Sequence, residues 1–252
     1  MRTLSVVLAI AALLVMNTES LAQVGFRIET DVFSKSQPQP VVQTRTFFMD
    51  GVAYDESREP GQDITIVDTK NDRIVRLRET KKLKCTTPIS KLKEMLKLSQ
   101  QETAANDRVA FLLASAKVVR DADNSVSVGS KPLTYAATWQ TPPQTDQASD
   151  FVLWYRDYAD ASKLLDTFVL RGAPPYARLK LNETVMARGG VPEKIVLTIE
   201  TGDEPQELTC NVHADWMLSK EDRQRVGEIQ EMLITYSEVS VGDYAKATQP
   251  SK

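Results

Sequence analysis

The sequence predicts an α+β fold in which a curved antiparallel β-sheet, built from an N-terminal meander and a late hairpin, is covered on one face by several α-helices. Three observations carry this expectation. Segments of strand character follow one another between Phe26 and Glu79 of the 252-residue chain, three-and-four apolar spacing begins after Cys85, and a strand pair followed by a capped helix comes late.

The meander is read first. Phe26, Ile28, Thr30 and Val32 alternate with Arg27, Glu29 and Asp31, the period of two of a strand with one packed and one wet face. A loop over 34–40 leads to a strand over 42–49, where Asp50-Gly51 signals a tight hairpin and 52–54 starts the return. Strands over 63–68 and 73–79 flank Thr69, Lys70, Asn71 and Asp72. Polar turns this short cannot carry a parallel crossover, so the strands pair antiparallel.

After Cys85 the period changes. Thr87 is placed to cap a helix with Pro88 at its first position and Ile89, Leu92, Met95 and Leu96 on one face. A second helical stretch, about 106–116, groups Val109, Leu112, Leu113 and Ala116. Polar residues at 121–125 make a turn, and 133–139 reads as a strand ending before Pro142 and Pro143. From Asp150 an aromatic-rich helix carries Trp154, Tyr158, Ala161, Leu165 and Phe168 at helical spacing. Gly172, Pro174 and Pro175 separate it from a helix that runs to about Arg188 and stops at Gly189-Gly190. Strands over 192–200 and 207–215 form the late hairpin, and Ser219 with Asp222 matches a capping box ahead of Val226, Ile229, Leu233 and Tyr236.

The N-terminus has the pattern of a secretory signal. Arg2 precedes an apolar stretch over 4–16, shorter than the ~20 residues that span a bilayer, and Ser20-Leu21-Ala22 supplies a cleavage site before Gln23. The expected organisation is a signal peptide over 1–22, a single α+β domain over 23–244 and a disordered tail over 245–252. No cysteine near the cut offers a lipid site, and no later segment is apolar for long enough to leave a transmembrane anchor. The expected address is the periplasm or the extracellular space.

A net charge of −3 and only short basic clusters such as Lys81, Lys82 and Lys84 leave no electrostatic footprint for nucleic acid. Export delivers the chain to a compartment where disulfides persist, and Cys85 and Cys210 are the two cysteines that remain, so one bridge between them is expected beside the alternative of two buried thiols.

Four segments together resemble a family of uncharacterised secreted bacterial proteins. They begin at Phe47-Phe48-Met49-Asp50-Gly51, Tyr155-Arg156-Asp157-Tyr158, Pro174-Pro175-Tyr176-Ala177-Arg178 and Leu218-Ser219-Lys220-Glu221-Asp222. The resemblance implies a single domain and brings no activity. The Asp50-Gly51 meander and Val191-Pro192-Glu193-Lys194-Ile195 are also distantly similar to the outer-membrane lipoprotein-carrier fold, which implies a curved sheet wrapped around helices and an apolar cavity.

Catalytic and metal chemistry find little support. His213 is the single histidine and no G-x-S-x-G elbow accompanies it. Cys210 and His213 are three apart on one strand, which sends them to opposite faces and away from a shared metal. Asp121, Asp123 and Ser125 start like a calcium loop, but Val126 and Pro132 stand where glycine and glutamate are needed. No phosphate-binding glycine motif is present, so no cofactor is expected. Asp157 and Asp160 share a helix face beside Tyr155 and Tyr158, which keeps a carboxylate-based hydrolase open beside a solvated rim.

The binding candidates are Trp154, Tyr155, Tyr158 and Phe168, because aromatic side chains with polar tips suit amphipathic ligands; the same spacing equally serves core packing. The leading expectation is a non-catalytic, exported soluble protein that binds an apolar small molecule, a lipid or an envelope protein in a sheet–helix cleft. A hydrolase and a structural protein acting by association are the alternatives.

Overall fold

The structure, a computed structural model, describes residues 24–35, 37–106, 109–114, 116–170, 172–200 and 204–248. The expected cleavage site at Ala22 and Gln23 lies outside them.

The chain is α+β. Its strands are β1 (Gly25–Ser34), β2 (Val42–Met49), β3 (Val52–Ser57), β4 (Ile64–Asp68), β5 (Arg73–Arg78) and β6 (Leu83–Pro88), then β7 (Val118–Ala122), β8 (Ser125–Ser130) and β9 (Leu133–Gln140), then β10 (Val191–Ile199), β11 (Gln206–Asp215) and β12 (Ser237–Glu238). The helices are α1 (Ile89–Ala104), α2 (Phe111–Ala114), α3 (Ala148–Phe168), α4 (Tyr176–Ala187), α5 (Lys220–Thr235) and α6 (Val241–Thr248). All strands join one open sheet in the order β12-β6-β5-β4-β3-β2-β1-β11-β10-β9-β8-β7, antiparallel throughout except for the short β12–β6 pair. The meander and the late hairpin meet where β1 pairs with β11.

Adjacent residues of a strand point to opposite faces, and here both faces acquire a core. On one face Phe26, Ile28, Phe48, Ala53, Val67 and Ile74 pack beneath α1 and α3. Phe26 and Phe48, opposite each other on β1 and β2, stack with centroids 4.3 Å apart and planes within 3°, and Phe151 of α3 lies 4.8 Å from Phe26. Farther along this face α4 packs Ala177, Leu181 and Val185 on Val126, Val128, Tyr135 and Ile195. These helices cover one face, as the patterning predicts.

The opposite face holds a feature the patterning does not predict. Phe47, Tyr54, Ile66, Val75 and Leu77 pack beneath Val226 and Ile229 of α5, so β2 to β5 lie between helices on both sides. The cap of α5 is the expected one, with the Asp222 amide donating to Ser219 Oγ at 3.1 Å and the Ser219 amide donating to Asp222 Oδ2 at 2.9 Å. Arg27 Nη1 adds a bond to Asp222 Oδ1 at 3.1 Å and ties α5 to β1.

Several boundaries differ from the sequence expectation. Thr87 and Pro88 end β6, paired with Ile74 and Arg73, instead of starting a helix. The first amides of α1 are satisfied from the β4–β5 turn, where the Asp72 carbonyl accepts from Ile89 at 3.2 Å and Asp72 Oδ1 accepts from Ser90 at 2.8 Å. Of the helix expected over 106–116, the described residues form the single turn α2, and 107, 108 and 115 lie outside them. The tail expected past Tyr244 is instead helical through Thr248, while 249–252 lie outside the described residues. Tyr244 fixes this helix: it is fully buried, and the Arg76 guanidinium sits 4.9 Å from its ring.

The expected disulfide is corrected. Cys85 and Cys210 are both free. The register runs from Cys85 through Arg76, Thr65, Asp55, Thr46 and Ile28 to Ala214, which places Cys85 six strands from β11 and in the row of Ala214, not of Cys210. At ~4.8 Å per strand the separation is roughly 29 Å, far beyond the ~7 Å limit for a bridge.

Candidate functional site

The helices on the first face leave a gap. Where β1, β2, β10 and β11 run beyond the buried rows, α3 and α4 no longer close the sheet, and a cleft of about 360 Å³ opens between them. Its floor is Ile28, Val32, Ile195, Leu197, Leu208 and Val212; its roof is Tyr155, Tyr158, Ala159 and Ser162 of α3; Arg178 of α4 stands at the side. Exposure rises along the floor from 2% at Ile28 to 36% at Leu208, which sets an inner end and an apolar mouth. The volume falls within the roughly 300–1,000 Å³ of small-molecule sites.

Of the four aromatic candidates the structure brings Tyr155 and Tyr158 into this cleft. Trp154 and Phe168 pack at the edge of the main core, with Trp154 5.9 Å from Phe151. At 1.5 Å per residue Phe168 lies about 15 Å along the helix from Tyr158, and Trp154 sits one turn before Tyr158, beside Phe151.

The polar groups of the cleft separate into satisfied and open ones. Burial pushes the Tyr155 hydroxyl up to about 12 against the opposing pull of Arg178. Tyr158 is raised well above the usual phenol range, by burial and then by the nearby Asp55 carboxylate. Asp55 accepts from the Thr46 hydroxyl at 2.7 Å, and burial lifts its carboxyl to about 6 despite its bonds from Thr46 and Tyr158. Lys163 is paired with Asp166 at 2.7 Å. Ser162 Oγ is buried without a hydrogen-bond partner. Arg178 uses Nε to donate to Asn182 Oδ1 at 3.0 Å, and Asn182 in turn donates to Asp160 at 2.8 Å.

The other sequence candidates lie elsewhere. Asp157 and Asp160 border a separate hollow of about 210 Å³, where Asp157 pairs with Arg156 at 2.6 Å and Asp160 holds Asn182. His213 has its side chain 75% exposed on the opposite sheet face, 3.6 Å from Asp215, whereas Cys210 lines the cleft. Strand alternation separates that pair. Asp121 lies in the β7–β8 hairpin and pairs with Arg188. Among the described residues no group of three or more His, Cys, Asp or Glu could hold a metal ion, and no helix is long and apolar enough to cross a membrane.

Sequence reasoning missed Arg178, Ser162 and the Thr46–Asp55 pair as site residues. Arg178 carried one legible signal, a cation directly beside the Ala177, Leu181 and Val185 stripe of α4. Compared with models of known protein families and with curated proteins, the chain matches none.

Proposed function

We propose that this chain is an exported, non-catalytic binding protein of the cell envelope that holds an apolar or lipid-like ligand between its sheet and α3. The observation that carries the reading is the cleft itself: an apolar floor supplied by β1, β10 and β11, roofed by two tyrosines, open to solvent at Val32 and Leu208. Apolar surface left accessible at the mouth gains stability when a ligand removes it from water, on the order of 25 cal/mol per Å². The N-terminal pattern of Arg2, the apolar run and Ser20-Leu21-Ala22 supports export, and the likeness to lipoprotein carriers is in keeping with a sheet that encloses apolar space.

Native mass spectrometry of protein purified from its own envelope under mild conditions tests the reading. The expected result is a bound species of lipid-like mass that is released on denaturation and lost in Leu208→Glu. Ligand-free protein that also fails to bind any added amphiphile overturns it.

A further inference from the structure

The charged groups that line the cleft are Arg178, Lys163 and Asp166. Arg178 has no carboxylate at ion-pair distance among the described residues; it donates to the neutral Asn182 and bonds the Tyr155 hydroxyl, and Asp160 behind that amide, which its charge still reaches, borders the hollows on the far side of α3. The Arg178 charge reaches groups all around the inner cleft, opposing the burial-driven rise of Tyr135, of Tyr155 and of Cys210. The other cation, Lys163, is already neutralised by Asp166. Ser162, whose Oγ is a buried donor with nothing to bond, lines the same cleft. An unpaired buried hydroxyl costs stability unless something completes it.

Resting on the proposed apolar-ligand reading, we infer that the ligand is a single-chain amphiphile with a carboxylate head, a long-chain fatty acid in chemical class, seated with its head between Arg178 and Ser162. Its alkyl chain runs over Val32, Leu197 and Leu208 to the mouth. With Nε taken by Asn182 and Tyr155 bonded to the same guanidinium, the remaining N–H donors are left to meet a planar carboxylate, the partner arginine binds most specifically. Of the two cations that line the cleft, Arg178 is the one with no carboxylate at ion-pair distance among the described residues, and it matches a single negative charge. A phosphate monoester, carrying nearly two, would leave excess charge in an apolar site.

Titration calorimetry with dodecanoate and its uncharged counterpart 1-dodecanol provides the test. The wild-type chain is expected to bind dodecanoate at least tenfold more tightly. Arg178→Gln is expected to remove that preference, and Arg178→Lys, which keeps the charge but not the fork, to retain part of it. Circular dichroism confirms that each variant is folded, and the wild-type comparison stands by itself if one is not. Equal wild-type binding of both probes, or a preference that survives Arg178→Gln, overturns the head-group assignment and leaves the apolar cleft standing. Failure of both probes to bind overturns the two readings together.

Discussion

Thr46 on β2 donates its hydroxyl to Asp55 Oδ1 on β3 at 2.7 Å, a cross-strand bond that lies within reach of the Tyr158 hydroxyl. It holds a carboxyl group in an enclosed place. Burial outweighs this bond, so Asp55 ionises at about 6 instead of 3.8.

A raised carboxyl pKa means that the native chain binds this proton more tightly than the unfolded chain. The site therefore favours folding at low pH, and that contribution is lost as pH rises from about 3.8 through about 6. Asp55→Asn removes the titration. Urea unfolding between pH 4 and 7 should show a variant whose stability no longer falls across this window, with a gain at neutral pH of at most about 3 kcal/mol at ~1.36 kcal/mol per pH unit. A wild-type curve that rises over the same window contradicts this.

Phe48 is fully buried, stacked on Phe26 and edge-on to Tyr158 with centroids 5.5 Å apart. Phe48→Ala leaves a cavity at the junction of β1, β2 and α3, and the expected loss is about 3–5 kcal/mol in denaturant unfolding. A loss below about 1 kcal/mol would show that the core closes around the gap.

Ser219 and Asp222 cap α5, and burial of Asp222 is outweighed by its bonds from Ser219 and Arg27, which hold its carboxyl below the usual range. Ser219→Ala should cost about 1 kcal/mol. Asp222→Ala should cost more, because it also takes a partner from Arg27. Equal losses in the two variants would remove Arg27 from the account.

The two thiols give a yes-or-no outcome. Denatured without reductant, the oxidised protein should take up two maleimide labels, on Cys85 and Cys210. A mass with no adduct would mean that the sheet register is wrong.

Much of the fold was legible because its elements carry clean periods. The Phe26 to Val32 alternation, the Asp50-Gly51 turn and the Ser219–Asp222 cap all recur in the structure, Asp50 and Gly51 with positive φ of 52° and 85°. What was missed lacked a local signal. β8 is built from Ser125, Ser127, Gly129 and Ser130 around two valines, and its strand character comes from pairing with β9. The placement of α5 on the second face depends on which side of the sheet the chain returns to, a choice that helical periodicity does not encode. The same holds for the cleft: Tyr155 and Tyr158 could be named from helix spacing, but Arg178 meets them only through the docking of α4. The cysteine pairing failed for a related reason, since compartment and count say nothing about six intervening strand steps.

The two-sided cover of the sheet ends at β2. Beyond it, the reverse side of β1, β11, β10 and β9 is a wet surface of Glu29, Asp31, Thr138, Lys194, Asn211 and His213. Water thus reaches the backbone of these strands from a side that α5 shields in β2 to β5. Amide protons of β9 to β11 should exchange with deuterium before those of β3 to β5, and the strands that floor the cleft are then the ones that breathe.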